Sequence, residues 1–132
     1  MKAARIFKNE WFEKFARKQG ISDALLADAV HRAEQGLVDA ELGSGLIKQR
    51  VAREGEGKSG GHRTLLVIRQ GDLAVFVFGF AKNTRANISE QELKSVRNLP
   101  KSILAMTARD IAELVKNGYF TEVKVEMEEE DV

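Results

Sequence analysis

The chain has 132 residues, no cysteine and a formal net charge of +1. This length fits one domain with its own hydrophobic core, and the absence of thiols excludes a disulfide framework, a cysteine nucleophile and cysteine-based metal sites. The longest apolar run, Leu73 to Ala81, is far too short to cross a bilayer as a helix, and the N-terminus has no signal-peptide core. We therefore expect a cytoplasmic protein with no membrane partner.

The small net charge hides an uneven distribution of charged residues. Residues 44–85 carry eight basic against three acidic side chains, whereas residues 110–132 carry two basic against eight acidic ones. The middle of the chain should therefore form a basic surface and its end an acidic one. We predict a single domain over residues 1–125, followed over residues 126–132 by an acidic tail that we expect to be flexible.

The first third of the chain predicts a short strand followed by a helical hairpin. Lys2 to Lys8 alternates weakly between apolar and polar residues, as a strand does. Asn9 and Ser22 are helix-capping residues followed by apolar side chains at helical spacing, and Gly20 and Gly36 end the two helices. The aromatic residues of the first helix are predicted to lie in the core: Trp11, Phe12 and Phe15.

The middle of the chain changes to the two-residue period of β-structure. Leu46 to Arg53 predicts a strand, and the glycine-rich segment Glu54 to Gly61 predicts a loop. Two stronger strands follow, Arg63 to Ile68 and Leu73 to Phe80, joined as a hairpin. The β-branched and aromatic density of the second indicates a central strand that is covered on both faces.

The last third predicts further helices and an edge strand. Ser89 and Glu92 form a capping box at the start of one helix, and Thr107 opens the last helix. Pro100 between them either kinks the first helix or begins a new turn. Residues 121–127 alternate as an edge strand does. The order of elements predicts an α+β domain: a small, mainly antiparallel sheet with an N-terminal helical hairpin and C-terminal helices.

A match to a phosphate-loop pattern at Ala52 to Ser59 lacks its structural context. Such a loop needs a helix directly after it, whereas Gly60, Gly61 and a strand follow here. Nucleotide hydrolysis is therefore disfavoured. The two histidines, His31 and His62, are too far apart in the sequence for a metal motif, and we predict neither a metal nor any other cofactor.

Basic residues cluster around the predicted strands. Lys48 and Arg50 are two residues apart and therefore share a face, Arg63 begins the neighbouring strand, and Lys82 and Arg85 follow the central strand. Guanidinium groups grip phosphate oxygens and stabilise the charge that develops in phosphate chemistry, and crowded cations make a lysine a better proton acceptor. The alternative is a solvated basic face that only binds RNA or an acidic partner.

Other residues of this basic region are candidates for contacts with RNA. His62, in the glycine-flanked loop, could act as an acid or base or could simply be exposed to water. Phe78 and Phe80 are two apart on the strand that leads into Lys82, so that one of them could stack on a base. The predicted RNA-binding residues are Arg53, Lys58, His62, Phe80 and Arg85.

Three segments resemble the core of HigB-like members of the RelE toxin superfamily. They are Ile47 to Arg53, Gly55 to Arg63 and Phe78 to Asn83, which follow the pattern K-x-R-v-a … G-x-G-K-s-G-G-x-R … y-G-f-a-K-n. The Trp11–Phe12 pair and the Ser89 to Leu93 helix fit as well. The resemblance implies a RelE-like fold and a toxin that is neutralised by an antitoxin protein.

The same resemblance implies a reaction. Members of this family are metal-independent endoribonucleases that cut messenger RNA in the ribosomal decoding site, where the 2′-hydroxyl of the message attacks the adjacent phosphate. Carried over, Lys48 is the general base, Arg50 faces the message beside it, and Arg63 grips the scissile phosphate. Lys82 matches the family's lysine at the end of the central strand, and Arg85 stands for a basic partner nearby.

The sequence also departs from the family pattern. Asn83 stands where the RelE type often has arginine, and the tyrosine used there for base stacking is missing, since the only tyrosine is Tyr119. The resemblance therefore leaves the proton donor to the leaving group unassigned. Two alternatives stay open: a non-catalytic module that binds RNA or the ribosome, and a protein-interaction domain with the same fold.

Overall fold

A computed structural model describes residues 4–52 and 61–124 of the chain. These residues form six strands and five helices, in the following order: β1 Arg5–Asn9, α1 Glu10–Gln19, α2 Asp23–Glu34, β2 Ala40–Gly43, β3 Leu46–Val51, β4 His62–Arg69, β5 Leu73–Ala81, α3 Glu90–Val96, α4 Leu99–Leu104, α5 Ala108–Lys116 and β6 Phe120–Glu122.

The strands form one sheet in the order β2-β3-β4-β5-β1-β6. Neighbouring strands are antiparallel except for the parallel pair β1 and β5. Helices α1 and α2 pack on one face, here called the back face, in a core that includes Ile47, Leu66 and Phe76. Helices α3 to α5 pack on the other, the front face, in a core that includes Leu46 and Val75. The predicted α+β fold with a mainly antiparallel sheet is confirmed.

The helix ends confirm the capping residues predicted from the sequence. The side chains of Asn9 and Ser22 accept hydrogen bonds from the backbone of α1 and α2, which satisfies amides that the first helical turn leaves unpaired. Ser89 and Glu92 form the predicted capping box of α3, and Thr107 forms one with Asp110 at the start of α5. These caps fix where each helix leaves the sheet.

Some boundaries differ from the prediction. Strand β2 was not predicted, because its four residues, Ala40–Gly43, are mostly exposed and have no apolar alternation. Pro100 lies in the first turn of a separate helix, α4, rather than in a kinked continuation of α3. Strand β6 spans Phe120–Glu122, and the backbone amide of Val123 also donates to the Ile6 carbonyl. The rest of the predicted edge strand beyond residue 124, the predicted acidic tail, Arg53 and Lys58 lie outside the described residues.

A β-bulge in β5 decides which side chains share the front face. Leu65 of β4 lies opposite Phe78, but the next residue, Leu66, lies opposite Phe76, so that Val77 is the extra residue. Such a bulge reverses the alternation of side chains beyond it. Phe78 and Phe80 therefore join Val77 in the front core, whereas in an unbroken strand they would have faced the hairpin of α1 and α2.

Candidate phosphate-binding site

Three cations lie together at one end of the front face. Arg50 of β3 is the cross-strand partner of Arg63 of β4, which in turn lies opposite Phe80 of β5. The next row towards the middle of the sheet contains Lys48, opposite Leu65. Because residues two apart on a strand share a face, Lys48, Arg50 and Arg63 project on the same side. The structure thus brings together three of the four predicted catalytic residues.

The segment between β5 and α3 crosses this end of the sheet. Its Asn87 side-chain oxygen accepts a hydrogen bond from the Lys48 ammonium at 3.3 Å and another from the backbone of Ile88 at 2.8 Å. The Arg85 guanidinium lies 5.1 Å from the centre of the Phe80 ring, in cation–π contact. Asn87 therefore holds the Lys48 side chain in place, a role that the sequence did not reveal.

An acidic residue fixes the backbone next to the cations. The Asp39 carboxylate accepts a hydrogen bond from the Arg50 amide at 2.6 Å, and its other oxygen lies 3.8 Å from Arg50 Nε. The backbone amide of Asp39 donates to the side-chain oxygen of Gln49 at 3.0 Å. Gln49 is fully buried on the back face, where its amide nitrogen donates to the carbonyls of Ala29 and Leu37. Along β3, Lys48 and Arg50 thus belong to the cationic cluster on the front face, whereas Gln49 between them forms hydrogen bonds on the back face.

The surroundings of Arg63 disfavour its charge. Partial burial and then the neighbouring Arg50 guanidinium lower the pKa of Arg63 from its usual value, while Asp39 opposes that shift. A cation that is partly desolvated beside another cation gains from a bound anion, because the anion offsets both effects. Phosphate and carboxylate groups are the anions whose oxygens match guanidinium groups in geometry, and phosphate can contact two of them at once.

Lys82 and Arg85 take different positions at the end of β5. The backbone amide of Lys82 donates to the Gly61 carbonyl at 3.0 Å and so extends the β4–β5 ladder by one step beyond β5. Within the described part of the chain, the Lys82 ammonium has no carboxylate in ion-pair range. Arg85 forms a two-pronged ion pair with Glu92, which lowers the pKa of that carboxyl to about 2, with help from the Ser89 backbone amide.

His62 and Phe80 are less accessible than an RNA contact requires. His62 is the first residue of β4 rather than an exposed loop residue, and it is buried on the back face, where its Nε2 lies 3.2 Å from the Gln19 amide oxygen. Its ring therefore lies on the opposite side of the sheet from the cations. Phe80 is buried beneath Arg85 and supports that guanidinium.

One residue that sequence reasoning assigned to the core is exposed beside the site. The Trp11 side chain is 44% exposed, although Phe12 next to it is completely buried. Its indole ring stacks on Phe78, with 4.5 Å between the ring centres. The first turn of α1 lies at the edge of β5 beyond the end of β1, where none of the described strands pairs with that edge. Helical spacing alone could not reveal this open edge.

Two further findings concern metal ions and membranes. In residues 4–52 and 61–124, no cluster of three or more histidine, cysteine, aspartate or glutamate side chains has the geometry to hold a metal ion. Within the same residues, none of the helices has the length and apolar character needed to span a membrane.

An α+β protein whose open sheet presents strand-borne cations at one end has a surface suited to anions. The chain belongs to the RelE toxin family, since the family model described as the RelE toxin of the RelE/RelB toxin–antitoxin system matches residues 4–123. It is thus a toxin of a toxin–antitoxin system, and toxins of this family pair with an antitoxin. A comparison with curated proteins finds no match.

Proposed function

We propose that this toxin is an endoribonuclease that cuts messenger RNA on the ribosome without a metal ion. The observation that carries the proposal is the row formed by Arg50 and Arg63 on adjacent strands, with Lys48 one row away on the same face. Two guanidinium groups side by side suit the two non-bridging oxygens of a phosphodiester. A lysine within reach of the same phosphate supplies the proton chemistry that a bare binding face does not need.

The order of the strands suggests a role for each cation. Strand β4 carries Arg63 between β3, with Lys48, and β5, whose end leads into Lys82. Because adjacent strands are about 4.8 Å apart, side chains from β3 and from the end of β5 can approach a phosphate held on β4 from opposite sides. In-line displacement at phosphorus requires the general base and the general acid to lie on opposite sides of the phosphorus atom.

The proposed step uses groups of the RNA and the protein alone. Lys48, in its neutral form, accepts the proton of the 2′-hydroxyl, and the resulting oxyanion attacks the adjacent phosphorus. Arg50 and Arg63 stabilise the charge on the non-bridging oxygens in the transition state. The bond from phosphorus to the 5′-oxygen breaks, and Lys82 donates the proton to that leaving oxygen. The products are a 2′,3′-cyclic phosphate and a 5′-hydroxyl.

Asn87 and Asp39 position these groups without touching the RNA. Asn87 accepts a hydrogen bond from Lys48 and so restricts a long, flexible side chain to one region of the face. Asp39 holds the backbone of Arg50. The ribosome is proposed as the partner that presents the message, since the resemblance to this family implies action on translated messages.

The test is induction of the chain in a bacterium, with growth and the 5′ ends of messenger RNA followed together. We expect growth arrest and new 5′ ends inside translated codons, both lost in Lys48→Ala and Arg63→Ala. Lys101→Ala is the matched control, because Lys101 is an exposed lysine of α4 outside the cluster. Intact messages with a folded, soluble wild-type protein would contradict the nuclease and favour a module that only binds RNA.

A further inference from the structure

Beside the cationic cluster, the edge of β5 forms a crevice that the proposed reaction does not use. Strand β1 pairs with β5 only as far as Phe76, and β5 continues past it to Ala81. The crevice has a volume of about 370 Å³, at the lower end of the range for small-ligand pockets. Its walls come from α1, from the end of β5 and from the segment after β5, and include Trp11, Gln19, Asn83 and Arg85.

The walls of this crevice combine aromatic and cationic surfaces. Trp11 stacks on Phe78 at 4.5 Å and on Phe15 at 5.3 Å between ring centres, yet 44% of its side chain is exposed. On the other side, the Arg85 guanidinium lies over Phe80 and also 6.0 Å from the centre of Phe78. The indole and the guanidinium thus both contact Phe78.

Polar groups that can read the edge of a base line the same crevice. Gln19, Asn83 and Thr84, whose side chains can form hydrogen bonds, are among the residues that line it. Gln19 is anchored by the ring of His62, at 3.2 Å, so its amide has a defined position. An aromatic side chain, a planar cation and a few amides are the groups with which proteins bind unpaired bases.

The crevice also lies close to the proposed cleavage site. Phe80, which supports Arg85, is the cross-strand partner of Arg63. Because Phe80 also lines the crevice, strand β5 separates a phosphate held at Arg63 from a base in the crevice by about two strand spacings, roughly 10 Å, which a short stretch of single-stranded RNA spans. We propose that the crevice between Trp11 and Arg85 binds one unpaired nucleobase of the RNA strand held by the cationic cluster.

The proposal rests on the proposed function only in taking RNA as the ligand, since base binding does not require cleavage. Trp11 is the only tryptophan of the chain, so its fluorescence reports on the crevice directly. The probe is a single-stranded DNA tetranucleotide, which has no 2′-hydroxyl and cannot be cut by the proposed reaction. A second probe has the same phosphates but abasic sugars. We expect saturable quenching of Trp11 by the first probe and none by the second.

Binding of labelled tetranucleotide to variants gives the independent readout. Trp11→Leu should bind it about 5- to 100-fold more weakly, the range that one base–aromatic stack supports, while Trp11→Tyr should keep most of the affinity. Tyr119→Leu is the matched control, because Tyr119 is a 55% exposed aromatic residue on β6's side of the sheet. Thermal melting of each variant separates a loss of affinity from a loss of folding, and Trp11→Tyr tests the crevice even if Trp11→Leu does not fold.

The outcomes separate this proposal from the nuclease. Equal quenching by the abasic probe, or unchanged affinity in folded Trp11→Leu, would overturn the base site and leave the nuclease standing. Base-dependent quenching in a protein that cuts no message would support the base site and overturn the nuclease. In Lys48→Ala we expect cleavage to be lost while quenching by the tetranucleotide persists.

Discussion

The two ends of the front face are formed by the same strands but differ in character, since one is apolar and covered by helices and the other is cationic. At one end, Leu46, Val67 and Val75 lie side by side and pack in one core with residues of α4 and α5. At the other end, the row consists of Arg50, Arg63 and Phe80. Among residues 4–52 and 61–124, the segment before α3 reaches that row, and the C-terminal helices cover the apolar end.

The difference shows how a small protein separates stability from binding. Burial of apolar side chains stabilises the fold at one end, where helices exclude water. The adjacent arginines at the other end repel each other, which costs stability in the free protein and favours a bound anion. Substitutions at the apolar end should therefore change unfolding, whereas substitutions in the cationic row should change activity.

The largest effect on stability is expected at the apolar end. Phe7 is completely buried on the front face, and its ring lies 5.8 Å from that of Phe120. Phe7→Ala should lower the free energy of unfolding by about 3–5 kcal/mol, because it removes apolar contacts and leaves a cavity. Urea unfolding measures this. Arg50→Ala, the control at the cationic end, should change the free energy of unfolding by less than about 1 kcal/mol. A larger loss of stability in Arg50→Ala than in Phe7→Ala would contradict this comparison of the two ends.

A somewhat smaller effect is expected at Gln49, which points away from the cations. Gln49→Leu should cost about 2–4 kcal/mol, because the Asp39 amide and the carbonyls of Ala29 and Leu37 lose their buried partner. The same variant should also weaken cleavage, since Asp39 positions Arg50. The comparison variant is Gln49→Glu, which keeps an oxygen that accepts the hydrogen bond from the Asp39 amide. Equal stability of wild type and Gln49→Leu would show that this support is dispensable.

The ion pair of Arg85 and Glu92 predicts a dependence on pH. The pKa of Glu92 is about 2 in the folded protein, below the ordinary value of 4.5, so its stabilising effect is present above pH 4.5 and is lost as the pH falls towards 2. Wild type should exceed Glu92→Gln in stability by about 1 kcal/mol at pH 7, and the difference should shrink towards zero near pH 2. Urea midpoints across this range measure it, and a constant difference would be inconsistent with the pair.

The smallest effect is expected on the exposed side of α1. Arg17 pairs with Glu13 one turn earlier, but its side chain is largely exposed. Arg17→Ala should change the free energy of unfolding by less than about 0.5 kcal/mol, as exposed pairs at this helical spacing do. A loss above 1 kcal/mol would mean that this pair also orders the hairpin. Thermal unfolding of wild type and Arg17→Ala at low and high salt distinguishes these two outcomes.

Local sequence signals predicted most of the fold. Asn9, Ser22, Ser89 and Thr107 cap helices as expected, because capping depends on residues within one turn. Leu73–Ala81 is buried along its whole length, as its apolar run indicated. Strand β2 was missed because pairing with β3, rather than its own composition, makes it a strand.

The candidate site was only partly predictable for the same reason. The spacing of Lys48 and Arg50 placed them on one face, but their row with Arg63 depends on strand register, which the sequence does not specify. The bulge at Val77 turns Phe78 and Phe80 towards the cations, and no residue type in the sequence predicts this bulge. Trp11 and Asn87 reach the site through tertiary packing, so neither carries a motif.

The most direct test of the central claim, that the cationic end of the front face cuts RNA, is the chemistry of the cut ends. Purified protein would be mixed with ribosomes stalled on a defined message, and the termini of the products would be determined by mass spectrometry. We expect 2′,3′-cyclic phosphate and 5′-hydroxyl ends and no cleavage by Arg63→Ala. A message in which hydrogen replaces the 2′-hydroxyl at the cut site should resist cleavage. Products with 5′-phosphate ends, or cleavage undiminished in Arg63→Ala, would contradict it.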